Sequence, residues 1–260
     1  MRLGTVRILN ERMGEAFRLE RGTLMRTLLL AAALASGTAL ATPAHAVLQL
    51  SLDINGALFN CVDQTACDTN PTVGILQTGV TTFNGVDFLG SSQTQLTGGI
   101  NELTTTSFQI TNNNPGSVTY QLAVGGTDFV PPVTSISLSG SGTFTNAIGS
   151  NIDLQYAASS ANAQGADTPA DLPGTLLADS GSITATLATD SFNYNNTAPF
   201  ASAGLYSMSE GASGTLTAGA QLTGRSQSMI AVNAVPEPGS LAVLGTGILG
   251  LGLVARRRRS

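Results

Sequence analysis

Cys61 and Cys67 are the only cysteines of the chain and stand six positions apart. Residues of that type and spacing either close a small loop as a disulfide or supply soft ligands to a metal. A metal would need further soft ligands, and the single histidine, His45, lies far upstream. A disulfide is therefore expected, contributing roughly 2 to 3 kcal/mol in the chain-entropy account. Calcium is the other metal the composition permits, since it needs only oxygen ligands. The candidate sets are Asp53 with Asn55, Asp63 with Asp68 around the cysteine loop, and Asp167 with Asp171. None follows the EF-hand spacing or a calcium-binding repeat, and the same acids serve equally well as solvated surface charge.

Nucleophilic catalysis lacks its parts. The chain has no Lys, and between residues 47 and 234 it has no His and one Arg, Arg225. Ser-His-Asp, Cys-His and lysine chemistry are excluded there. Paired carboxylates remain open to a glycosidase, and twelve acids fall in that segment, but no spacing singles out a pair. Stacking platforms are scarce too, with no Trp and only Tyr120, Tyr156, Tyr194 and Tyr206. The chain is not expected to be an enzyme. A segment of net charge −11 also excludes nucleic acid as a partner.

The cations lie at the ends. Arg26 precedes an apolar run at residues 28–34, followed by Pro43-Ala44-His45-Ala46. This is the three-part pattern of a secretory signal peptide, with cleavage after Ala46 leaving Val47 as the mature start. Residues 25–46 are read as that signal, and residues 1–24 as a disordered lead or a stretch that initiation at Met25 would omit. At the other end Val235-Pro236-Glu237-Pro238 introduces an apolar stretch at 241–255, then Arg256, Arg257, Arg258 and Arg259. Fifteen residues at about 1.5 Å each give a helix of roughly 22 Å, short of a hydrocarbon core of about 30 Å. It is expected as a single, marginal transmembrane helix whose arginines stay cytoplasmic. The two prolines keep the segment ahead of it extended and accessible.

That tail, residues 235–260, resembles the PEP-CTERM sorting signal of Gram-negative bacteria. The resemblance covers about 25 of 260 residues. It implies recognition and processing by an exosortase, after passage through the secretion translocon and signal peptidase. It further implies delivery to the cell surface or the exopolysaccharide layer. It carries over to Pro236, Glu237, Pro238, the apolar run and the arginines, and it says nothing of the body.

The elements of the body, residues 47–234, read as strands. Leu48, Leu50, Leu52 and Ile54 alternate with polar residues, as do Val118, Tyr120, Leu122 and Val124. Shorter alternations are Ile136/Leu138, Ile152/Leu154/Tyr156 and Ile183/Ala185/Leu187. Asn55-Gly56, Asn84-Gly85, Asn114-Pro115-Gly116, Gly125-Gly126, Pro131-Pro132 and Leu172-Pro173-Gly174 punctuate them. No helical stripe competes. The expected fold is all-β, an antiparallel β-sandwich or jelly-roll-like body. Residues 157–174 and 190–204 are expected to be long flexible loops, the latter holding the sequon Asn195-Asn196-Thr197.

With 10% charged residues and many Thr, Ser, Asn and Gly, the body fits an exported structural or interaction protein of the envelope or matrix. Its polar strand faces would meet polysaccharide or other proteins. The alternative is a lectin-like or calcium-assisted carbohydrate-binding module.

Overall fold

The computed structural model describes residues 47–97, 99–167, 169–170 and 172–233. In chain order the strands are β1 (Leu48–Ile54), β2 (Ala57–Val62), β3 (Ile75–Gln77), β4 (Thr81–Phe83), β5 (Val86–Thr97), β6 (Ile100–Asn112) and β7 (Val118–Phe129). They continue with β8 (Val133–Thr145), β9 (Asn151–Ser159), β10 (Thr175–Asp179), β11 (Ile183–Thr184), β12 (Thr189–Ser202), β13 (Tyr206–Leu216) and β14 (Gln221–Asn233). They form two seven-stranded sheets. The first runs β10-β9-β13-β7-β1-β2 with β11 on β9, and the second β12-β8-β14-β6-β5-β3 with β4 on β5. All the strand pairs are antiparallel. From β6 onward the long strands cross from sheet to sheet, so β6-β14-β8-β12 faces β7-β13-β9-β10, wound as in a jelly roll.

Alternation places one face of each sheet inside. Leu48, Leu50, Leu52 and Ile54 are fully buried, as are Ile136, Ile152 and Tyr156. Asn55, Gly56, Asn84 and Gly85 all have φ between 50° and 87°, the pair of left-handed residues that a tight hairpin turn requires. Several interior strand positions are glycine because an aromatic ring occupies the side-chain space. A Cβ at Gly140 would lie 2.6 Å from Tyr156 Oη, and one at Gly142 2.5 Å from Phe192 Cζ.

Three expectations need correction. Residues 190–204 are mostly the 14-residue strand β12, not a loop: Phe192, Ala198 and Phe200 point inward and are buried while Asn193 and Asn195 stay exposed. Residues 157–159 end β9, and the segment that follows lies against the outer face of the first sheet, where Ala166 is fully buried. Gly125 leaves room for it, since a Cβ there would stand 3.1 Å from the backbone nitrogens of Gly165 and Ala166. Asn162 ties it down by donating to Asp128 Oδ1 at 2.7 Å. Finally, the Ile183/Ala185/Leu187 alternation gives a strand of only two residues, and Leu187 is 62% exposed. Ala185 leaves the ladder to hydrogen-bond Ser150 and Gly149 instead.

Candidate functional site

Cys61 and Cys67 form the expected disulfide, with Cα atoms 5.7 Å apart. Cys61 sits at the inward face of β2 and is buried. The acids on either side are occupied by backbone donors. Asp68 Oδ1 accepts from the N–H groups of Asn70 (2.9 Å) and Gln77 (3.0 Å), and its Oδ2 from Gln64 N–H (3.1 Å). Asp63 Oδ2 accepts from Gly74 N–H at 2.6 Å. Partial burial pushes the Asp68 carboxyl up, but the donors of Gln77, Asn70 and Gln64 outweigh it and hold it below the usual carboxylate range. These carboxylates fold the loop that follows the disulfide.

Asp53, near the end of β1, and Asn55, in the β1–β2 turn, lie at the opposite end of β2. Asp53 Oδ1 accepts from Gly56 N–H at 2.6 Å, and Asn55 Oδ1 from Thr119 N–H (2.9 Å) and Thr119 Oγ1 (3.0 Å). The two calcium pairs are therefore not brought together. Among the described residues, no three His, Cys, Asp or Glu side chains are grouped so as to hold a metal ion. Asp171 lies outside the described residues.

Sequence reasoning missed three polar features. On the outer face of the first sheet, Asp53, Thr119, Gln121, Ser213 and Thr215 line a groove of about 400 Å³ across β1, β7 and β13. Beside it, Asp153 is the register partner of Ser213. Burial, then the neighbouring Asp179 carboxyl, raises Asp153 to about 6, while Gly181 N–H holds Asp179 below its ordinary value.

On the outer face of the second sheet, Thr145, Thr143, Ser141, Ser139 and Ser137 of β8 stand between two matching rows. Thr189, Ser191, Asn193, Asn195 and Thr197 of β12 lie on one side, and Gln221, Thr223, Ser226, Ser228 and Ile230 of β14 on the other. Ser139 and Ser228 hydroxyls meet at 2.8 Å. This is a nearly charge-free lattice of hydroxyls and amides. The alternation of each strand shows half of it, but the rows exist only once strand order and register are known.

Between the sheets, Glu210 of β13 is buried. Thr105 Oγ1 donates to its Oε1, and Oε2 has no hydrogen-bond partner among the described residues. Burial, helped by the charge of Glu102, keeps this carboxyl protonated far above the usual range. An acid at an inward strand position leaves no composition signal.

Val47 is the first described residue. Ala44 and Ala46, the motif at Val235, Pro236, Glu237 and Pro238, the expected helix at 241–255 and Arg256 to Arg259 lie outside the described residues. There the comparison of sequences speaks instead: residues 234–259 match the PEP-CTERM protein-sorting motif. No curated protein matches the chain. Solved structures similar to it include the module TmCBM61 in complex with beta-1,4-galactotriose, at 10% identity over 56% of this chain and 88% of that one, with TM-score 0.30. Infectious bursal disease virus Gt strain gives 14% identity, 74% and 57% coverage and TM-score 0.33. The C-terminal CBM6 of a laminarinase from Zobellia galactanivorans gives 12%, 54%, 87% and 0.23. At such TM-scores these likenesses carry no argument about the function of this chain.

Proposed function

We propose that the chain is a non-enzymatic structural or interaction protein, exported by its signal peptide and placed at the cell surface or in the extracellular matrix through exosortase processing of its tail. The observation that carries this reading is the sorting motif at residues 234–259. The last described strand, β14, ends at Asn233. Only two residues then separate the sandwich from Pro236, a reach of about 11 Å. Processing at the motif would release the sandwich with almost no linker. The body's composition supports the non-enzymatic part, since His and Lys are lacking where nucleophilic chemistry would need them. Replacing Pro236, Glu237 and Pro238 together by Ala in the host tests the reading. The expected result is a full-mass chain held in the membrane fraction and lost from surface and medium. Normal release of the altered chain would overturn it.

The groove favours a second reading, a carbohydrate-binding module. Its volume lies within the usual range for small-ligand sites, and its hydroxyl, amide and carboxylate lining suits an uncharged saccharide. Calcium assistance gains no support from Asp63 and Asp68, whose oxygens already serve backbone donors. A rise in melting temperature with neutral oligosaccharide, absent in Ser213→Trp, would support this reading, and equal shifts in both proteins would refute it.

A further inference from the structure

The second sheet ends at β12, and β12 is its longest strand. Two hydrogen bonds show which of its backbone groups face the open side. Ser191 N–H donates to Asp190 Oδ1 at 3.0 Å, and Thr197 N–H to Asn196 Oδ1 at 2.8 Å. A donor engaged by the side chain of the preceding residue is not paired with β8. Backbone groups alternate along an antiparallel ladder, so the odd-numbered residues of this stretch turn N–H and C=O away from β8. Pro199 fits the same parity: it falls where no ladder donor is required. Between the two side-chain caps, Asn193 and Asn195 therefore offer N–H and C=O groups outward.

Among the described residues, little else guards that edge. Proteins commonly blunt an edge with lysine, proline, a bulge or short length. This chain has no Lys, and the only charged residue in β12 is Asp190. Pro199 and the register shift between Pro199 and Ser202 disturb only the far end. Phe192-Asn193-Tyr194-Asn195-Asn196-Thr197 is uncharged, aromatic and Asn-rich, the composition of segments that pair with copies of themselves.

We propose that this edge takes up the same edge of a second copy of the chain, as an antiparallel pair about a two-fold axis through Tyr194. In that register Asn193 faces Asn195 of the second copy, and the two exchange both of their N–H···O=C bonds. The interface is isologous, so one strand satisfies the requirement on both sides. Charge agrees with this occupant, because Asp190 falls opposite Ala198 and never opposite another acid. The pair joins two second sheets, with their hydroxyl and amide faces, into one continuous sheet. This inference goes beyond the sorting reading and does not depend on it.

The test is the mass of the protein as purified from its host, by sedimentation over a wide concentration series, for the wild type and three variants. The wild type is expected to show a reversible monomer–dimer equilibrium. Asn195→Pro deletes one outward donor per copy and no bond to β8. Two lost hydrogen bonds of about 1 kcal/mol each weaken the dimer about thirtyfold at an unchanged melting temperature. Asn196→Pro, which deletes a donor aimed at β8, is expected to lower the melting temperature. Asn195→Lys, which leaves the backbone intact, is expected to weaken the dimer more at low salt than at high salt. A wild type that stays monomeric throughout would overturn the proposal. So would a dimer as strong in Asn195→Pro and Asn195→Lys as in the wild type, or an Asn195→Pro melting temperature lowered like that of Asn196→Pro.

Discussion

Glu210 is the one acidic residue buried in the core among the described residues. Burial pushes its carboxyl well above the usual carboxylate range, and among the described residues Thr105 is its hydrogen-bond partner. The sign of the linkage follows. Because its folded pKa is raised, the unfolded chain releases this proton first. Stability is therefore greatest below the unfolded value near 4.5 and falls as pH rises toward the folded value. Asp153, raised to about 6, acts in the same direction but only up to that pH. Asp68, Asp87, Asp179 and Asp190 have lowered values, and their contribution is lost only as pH falls through the acid range. Between pH 6 and its raised folded value the slope should therefore be set mainly by Glu210, at no more than about 1.4 kcal/mol per unit. Chemical denaturation across that window should show the decline in the wild type and a nearly flat profile in Glu210→Gln. A wild type with no slope would mean that the carboxyl reaches water.

The disulfide acts at the scale of one element. It closes a loop of six positions at the end of β2, so Cys61→Ser with Cys67→Ser should cost about 2 kcal/mol. The thermal transition should stay single and fall by several degrees, because the Asp63 and Asp68 hydrogen bonds hold the following loop independently. Loss of folding altogether would make the bridge a staple of the whole sandwich. The strands that sequence reveals well are those with unbroken alternation. β1 is legible from its apolar residues alone, and β7 only as far as Val124, because Gly125-Gly126, read as a turn, lies inside the strand. β12 is not, because Asn196 occupies the turn of an inward residue and Pro199 reads as a breaker, although it sits at an edge that needs no donor. The interior glycines are equally hidden: Gly140 and Gly142 make sense only beside Tyr156 and Phe192, which come from other strands. The carboxylates suggested as calcium ligands were legible as acids near turns. Their actual partners, backbone N–H groups several residues away, depend on how the loops close.

At the scale of the whole molecule, an acidic sandwich with few charges on the outer face of one sheet hangs from a tail matching a sorting motif. Charge is segregated along the sequence in the way the proposed sorting requires: the other cations lie at the two ends, and residues 47–234 hold one Arg. The sheet faces then meet the outside with short hydroxyl and amide side chains, which lose little conformational entropy on contact. The most direct test of this account is the mass of the C-terminal peptide of the protein from its native host, with envelope and medium measured separately. The account predicts a chain ending near Pro236 to Pro238, lacking Arg256 to Arg259. An intact C-terminus reaching Ser260 on all of the envelope protein would contradict it.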